Sequence, residues 1–194
     1  MINKRIGFAL TASYCTFSAV LPEIRELTAR GAQLVPIMSE MAATVDTKFG
    51  EAAMWKEKIL QVSKAHVIIE TIVQAEPIGP AKLLDLLIVA PCTGNTLGKI
   101  ANAITDSVVT MAVKAHLRNQ RPVLIAVSTN DGLGQNAANI GRLLNSKNIF
   151  FVPFAQDNPE FKPNSLVAHM NLLPDAAEHA LRGMQLQPVL RGAN

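Results

Sequence analysis

LDLLIVAPCTGNTLGKIANAITD, Leu84 to Asp106, runs from an apolar stretch through a small polar loop into a helical pattern. Leu86, Leu87, Ile88, Val89 and Ala90 form a continuous apolar run, as expected of a strand covered on both faces in a parallel sheet. Pro91 is expected to end that strand. Cys92, Thr93, Gly94, Asn95 and Thr96 are compact, so a ligand can approach the backbone closely, and Asn95 or Thr96 is a suitable N-cap before Leu97. Free N–H groups and the positive pole of the helix would then face the loop and stabilise an anion. Two readings fit this segment equally: a cradle for a phosphate-bearing cofactor, because ligands of open α/β sheets gather at the carboxyl ends of strands, or an ordinary strand-to-helix turn.

The same scheme repeats outward. RIGFAL (5–10), the helical FSAVLPEIRELTARG closing at Gly31, AQLVPIM (32–38), the helical EAAMWKEKILQVSK (51–64) and HVIIE (66–70) come before it. RPVLIAV (121–127), the helical NAANIGRLLNSK (136–147) and NIFFVPF (148–154) come after. Alternation with short connections implies βαβ units and right-handed crossovers, hence an α/β protein with a single doubly wound, Rossmann-like parallel sheet and helices on both faces. AQDNPEFKPNSLVAHM (155–170), with its two prolines, is expected to be a long loop before a final helix near Pro174 to Met184. Residues 1–187 are expected to form one domain and 188–194 a frayed tail.

Composition narrows the function classes. A chain of 194 residues with 49% hydrophobic and 5% aromatic content suits one aliphatic α/β core. A net charge of +3, from 18 basic and 15 acidic residues spread along the chain, argues against nucleic-acid binding. Lys114, His116, Arg118 and Arg121 cluster locally, as the wet end of a helix or as a contact for an anionic substrate or partner. Cys15 and Cys92 lack disulfide, redox or metal spacing, which fits a reducing cytoplasm. Lys4 and Arg5 followed by IGFALTASYCTFSAV superficially match a signal peptide, but Thr11, Ser13, Thr16 and Ser18 break the apolar stretch, so a strand, loop and helix are expected there. No apolar run approaches the roughly 20 residues of a membrane span.

Three further strand ends fall on the same sheet edge. TASYCT offers Thr11, Ser13 and backbone N–H groups; MSEMAATVDTKFG places Ser39 directly after a strand, with Met41 and Phe49 as apolar neighbours; STNDGLGQN places Asn130 after a strand and a turn at Asp131, Gly132 and Gly134. Four convergent loops make a pocket. GLG is not a dinucleotide fingerprint, lacking the full GxGxxG pattern and the first-strand position. His66, His116, His169 and His179 have no metal-ligand spacing and read as surface or core residues, so no metal is expected. Cys92 fits either a nucleophile activated by a helix N-terminus or a compact residue at a cofactor contact. Met38 and Met41 read as core. No residue is assigned a catalytic role.

APCTGNTLGKIA, the downstream Thr105 and Asp106, and Asn130 after a strand resemble the flavin-containing cysteine decarboxylase superfamily, a homo-oligomeric group whose Pro-Ala-Ser-Ala-Asn-Thr loop matches Pro91-Cys92-Thr93-Gly94-Asn95-Thr96 here. The resemblance implies that FMN is held by this loop and the first two strand-end loops, across the boundary between protomers of a trimer or a multiple of trimers. It carries cofactor contacts onto Thr11, Ser13, Ser39, Pro91, Cys92, Thr93, Gly94 and Thr96, and places Asn95 and Asn130 against the reacting ligand. Two departures stand out: Pro77 occupies the position of the decarboxylases' active-site histidine, and of their Pro-Ala-Met-Asn segment Val127-Ser128-Thr129-Asn130 keeps the asparagine alone. The flavin prenyltransferases match around Pro91-Cys92-Thr93 but have an arginine that Thr129 to Gly132 lacks. LRNQRPVLIAVSTNDGLGQN, KNIFFVPFAQD and KPNSLVAHM resemble the group formed by the B subunits of dipicolinate synthases. That likeness implies an oxidoreductase component acting with an NAD(P)-dependent, dehydrogenase-like A subunit to convert a dihydrodipicolinate-type intermediate into dipicolinate during sporulation. The alternatives it leaves are a non-redox binding component of that synthase, a flavin prenyltransferase and a cysteine decarboxylase. The substrate would be a small dicarboxylate, for which Lys48, Lys99, Arg118 and Lys162 are candidate cations.

Overall fold

The computed structural model describes residues 1–192. Four parallel strands form its centre: β1 (Arg5–Leu10), β2 (Gln33–Met38), β3 (Leu86–Cys92) and β4 (Val123–Thr129), in the order β2-β1-β3-β4. Their connections carry α1 (Phe17–Ala29), α2 (Glu40–Thr44), α3 (Ala52–Ser63), α4 (Ile72–Ala75), α5 (Gly94–Ala101) and α6 (Val108–Leu117). After β4 come α7 (Asn136–Leu144), β5 (Ile149–Phe151), β6 (Phe154–Asn158), β7 (Lys162–Ala168) and α8 (Leu173–Leu181). The class is α/β, with a single, mostly parallel sheet flanked by helices. Every residue of β3 is buried, as its unbroken apolar run requires. Side chains from both layers join one contiguous hydrophobic cluster, with α1 and α8 packed on one face and α6 on the other.

Chain direction places the site. β1 leads to β2 on one side and, through the second crossover, to β3 on the other, so the loops after β1 and β3 leave the sheet in opposite directions and part between them. β4 then divides its outer edge: Val123, Leu124 and Ile125 pair with β5, whereas Ser128 and Thr129 pair antiparallel with Val167 and Leu166 of β7.

Several sequence expectations need correction. Pro91 does not end β3; the strand runs on to Cys92 with a shift of register against β4, which accommodates a residue without an N–H donor. HVIIE is not a strand: Ile69 alone bridges, to Ile37, before the chain turns into α4. The stretch 155–170 is not a loop but largely the antiparallel hairpin β6–β7, turned by Asn158, whose Oδ1 accepts the Phe161 N–H at 3.1 Å. Its prolines, Pro159 and Pro163, fall in the turn and in the exposed start of β7, where no central-strand donor is lost.

Past α8 the chain is bonded to the sheet, first by Gln185 and then by Val189 and Arg191 within the 188–194 segment expected to fray. Gln185 donates to the Phe151 carbonyl at 2.7 Å and accepts the Phe151 N–H at 2.8 Å, as a neighbouring strand would. Phe154 then exchanges backbone bonds with Val189 and Arg191. Residues 193–194 lie outside the described residues. No helix among the described residues is long and apolar enough to cross a membrane.

His116 is not at the wet end of its helix. It is 1% exposed, and its Nε2 lies 2.9 Å from the Pro122 carbonyl, which can only accept, so Nε2 carries the proton and the buried Nδ1 has no partner among the described residues. Burial, reinforced by Arg121 and opposed by the Pro122 carbonyl, pushes the imidazole down to about 4. An unfolded histidine titrates near 6.5, so the neutral ring stabilises the fold above that value and the contribution is lost as pH falls toward 4; the loss is at most about 3 kcal/mol. Urea unfolding at pH 7 and pH 5 should show this drop in the native chain and a smaller one in His116→Gln; equal drops would refute the assignment.

Candidate functional site

The sheet's carboxyl edge opens into a cleft of about 600 Å3 where the β1, β3 and β4 loops part and the β6–β7 hairpin rises beside them. Its floor is a set of hydroxyls. Ser13 Oγ lies 2.8 Å from Ser128 Oγ, Thr16 Oγ1 lies 2.9 Å from the same atom, and Ser13 and Thr16 are 3.2 Å apart. Thr16 and Ser128 are buried beneath Ser13. Such a cluster satisfies itself when empty, and its hydroxyls can rotate to donate to incoming oxygens.

Thr11 shapes the next wall from behind. Its hydroxyl donates to the Pro91 carbonyl at 2.7 Å and accepts the Thr93 N–H at 2.9 Å, fixing the turn into α5. Thr93, rather than Asn95 or Thr96, is the N-cap: its side chain accepts the Thr96 N–H at 3.3 Å, and the helix begins earlier than the apolar pattern indicates. Gly94 must lack a side chain, because a Cβ there would collide with Thr129 Oγ1 and meet both Asn136 Nδ2 and Asp131 Oδ1 at 2.7 Å. The positive end of α5 therefore faces a carboxylate of its own chain. Among the described residues no first-turn N–H of α5 donates to it, so the carboxylate acts on this pole by charge alone.

Of the residues singled out in the sequence, Ser13, Thr93, Gly94 and Asn130 line the cleft together. Thr11, Pro91, Cys92 and Thr96 are buried and form its supporting layer. Burial pushes the Cys92 thiol far above its ordinary value, the opposite of nucleophile activation. Ser39 caps α2, accepting the Ala42 N–H at 3.3 Å, and does not line the cleft. Asn95 is exposed on the first turn of α5, outside this chain's own lining. Met38 is core, but Met41 is 56% exposed, and its carbonyl accepts the Tyr14 hydroxyl at 2.6 Å.

Among the four candidate cations the cleft selects one. Lys162, at the start of β7, lines it and pairs with Asp157 at 2.9 Å; that bond holds the ammonium above its ordinary value. Lys99 is paired with Asp106 at 2.8 Å, Arg118 lies on a separate groove beside Pro77, and Lys48 stands over the Phe49 ring at 5.3 Å. The lining that sequence reasoning missed is the hairpin contribution of Asp157, Ser165 and Val167, together with Ser128 and Thr129. The Asp-Asn-Pro-Glu turn at 157–160 was the available signal.

Comparison with known proteins follows the same outline. Residues 1–173 match the flavoprotein family model. The chain is 52% identical over 188 residues to the B subunit of dipicolinate synthase from Bacillus subtilis, covering 97% of this chain and 94% of that protein. The crystal structure of the corresponding B subunit from Bacillus halodurans superposes with a TM-score of 0.91 at 50% identity, over 100% of this chain and 98% of that one. Burkholderia xenovorans DmrB in complex with FMN, described as a cubic protein cage for redox transfer, shares the fold: TM-score 0.65, 16% identity, 93% and 96% covered.

Gly94→Ala is expected to cost roughly 1–3 kcal/mol, as overpacking does, because the added methyl meets a braced cluster of side chains. Thermal melting of the variant checks this; an unchanged midpoint would show that the Thr129–Asp131 loop yields freely.

Proposed function

Because the chain belongs to the flavoprotein family, alongside the B subunits of dipicolinate synthases, we propose that it is the flavin-carrying component of an oxidising synthase. In this reading it works with an NAD(P)-binding, dehydrogenase-like A subunit to turn a dihydrodipicolinate-type intermediate into pyridine-2,6-dicarboxylate during sporulation, in the cytoplasm. The observation that carries the reading is the cleft itself: a hydroxyl floor, the Thr93–Gly94 turn and a lysine face one volume of about 600 Å3, within the range of small-molecule sites.

FMN fits these residues, and when bound it supplies a two-electron acceptor. The chain's own groups divide the remaining work. Ser13, Thr16 and Ser128 would hold the FMN phosphate as hydroxyl donors, and Thr93 and Gly94 would border the ring. Asn130, exposed at the end of β4, offers an amide to the reacting ligand, and Lys162 meets a substrate carboxylate in place of Asp157. Pro77 cannot take or give a proton, which favours oxidation over the decarboxylases' chemistry.

Self-association, as a trimer or a multiple of trimers, belongs to the same reading. Ile72, Val73 and Ile104 are exposed apolar residues away from the cleft, and Asn95 stands outside its own protomer's lining, where a neighbour could use it.

Trp55, the single tryptophan, stacks edge-on against Phe17, which in turn contacts Tyr14 of the cleft. FMN titration should therefore quench its fluorescence saturably. With the A subunit present, Lys162→Gln should raise KM for the dicarboxylate roughly ten- to a hundredfold, the worth of a charge-assisted bond. Absence of saturable FMN binding together with full synthase activity would favour the non-redox binding role instead.

A further inference from the structure

The positive pole of α5 is answered from within the chain, and by a carboxylate that is held in place. Asp131 Oδ1 lies against Gly94, the first residue of the helix, where a negative charge is most favourable. The Thr129 hydroxyl donates to Oδ1, and the Asn136 amide donates to Oδ1 at 2.9 Å and Oδ2 at 2.8 Å. Behind Asn136 the donors run one way: Asn139 to Asn136 at 2.9 Å, Asn102 to Asn139 at 3.3 Å, and Arg142 to Asn102 at 2.7 Å. The chain starts on a guanidinium and ends on a carboxylate, so each link polarises the next in the same sense. Asn136 is buried, whereas Asp131 itself is exposed and is held only by these bonds from Thr129 and Asn136.

We propose that Asp131, next to the lining residues Gly94 and Thr129 but not itself in the lining, is a specificity-determining residue acting through its charge: it offsets the α5 terminus, repels negative groups from the Gly94 side, and so directs a ligand's anionic group to the Ser13–Thr16–Ser128 hydroxyls. The part of the cleft beside the loop after β3 then receives the uncharged part of the ligand. Selection follows: a ligand with one anionic end fits in one orientation, whereas a ligand with charge at both ends meets repulsion unless the second charge reaches Lys162. The inference rests on the reading of the cleft as a ligand site and is independent of which ligand fills it.

Titration of inorganic phosphate into the full chain, followed by calorimetry at low and high ionic strength, tests the assignment. Asp131→Asn should bind phosphate roughly tenfold more tightly than the native chain at low salt, with the gap closing as salt rises. Asn136→Ala removes two bonds but keeps the charge; it should melt earlier while its phosphate affinity stays near the native value. Equal affinity in the native chain and Asp131→Asn, including no measurable binding by either, overturns the proposal. So does a gain in Asn136→Ala that matches the Asp131→Asn gain, because loop packing would then be the cause. If Asp131→Asn fails to fold, Asp131→Ser removes the charge without setting a second amide donor against Asn136, and the same comparison applies. Failure to bind FMN alongside a salt-sensitive phosphate difference would strike the flavin reading alone.

Discussion

The Thr11 hydroxyl is the joint on which the cleft depends. It is buried, and it joins the end of β1 to the turn after β3 by donating to Pro91 and accepting from Thr93. Parallel strands leave the sheet with unpaired backbone groups at their carboxyl ends, and those groups must find partners or water. Here one hydroxyl serves two of them. The loops of β1 and β3 are thereby pinned at their roots and can spread only above that point. The Thr93–Gly94 turn and the α5 terminus take their positions from this bond pair.

Legibility in the sequence followed the physical range of each signal. β1, β3 and β4 are marked by continuous apolar runs, because strands buried on both faces have no polar side to interrupt them. α1, α3 and α7 are marked by apolar spacing and closing residues such as Gly31. HVIIE failed as a strand because only Ile69 bonds to β2 before Thr71 caps α4. The hairpin failed for another reason: its outer residues are exposed and its Lys-Pro-Asn start carries no alternation, so nothing local distinguishes β7 from a loop. Its partner, the last two residues of β4, lies some forty positions away in the chain.

The candidate site shows the same division. Ser13, Thr93, Gly94 and Asn130 were identifiable as small polar residues at strand ends, a property of position. Which of them face the cleft and which stand behind it depends on side-chain direction, which composition does not encode. Thr11 and Cys92 resemble their neighbours in the sequence yet turn inward. Asp131 was visible as a turn residue only; its charge acquires meaning because α5 begins beside it. Lys162 could not be ranked among the four cations until the hairpin placed it against Asp157.

The Gln185 side chain, paired with both backbone groups of Phe151, imitates a strand with a single amide, and Val189 and Arg191 complete the imitation beside Phe154. A sheet border finished in this way offers no hydrogen-bonding vacancy at those residues to a foreign extended segment. Copies of the chain that gather there must meet through side chains and shape, so the border resists indiscriminate strand exchange while the helical faces remain available for ordered assembly.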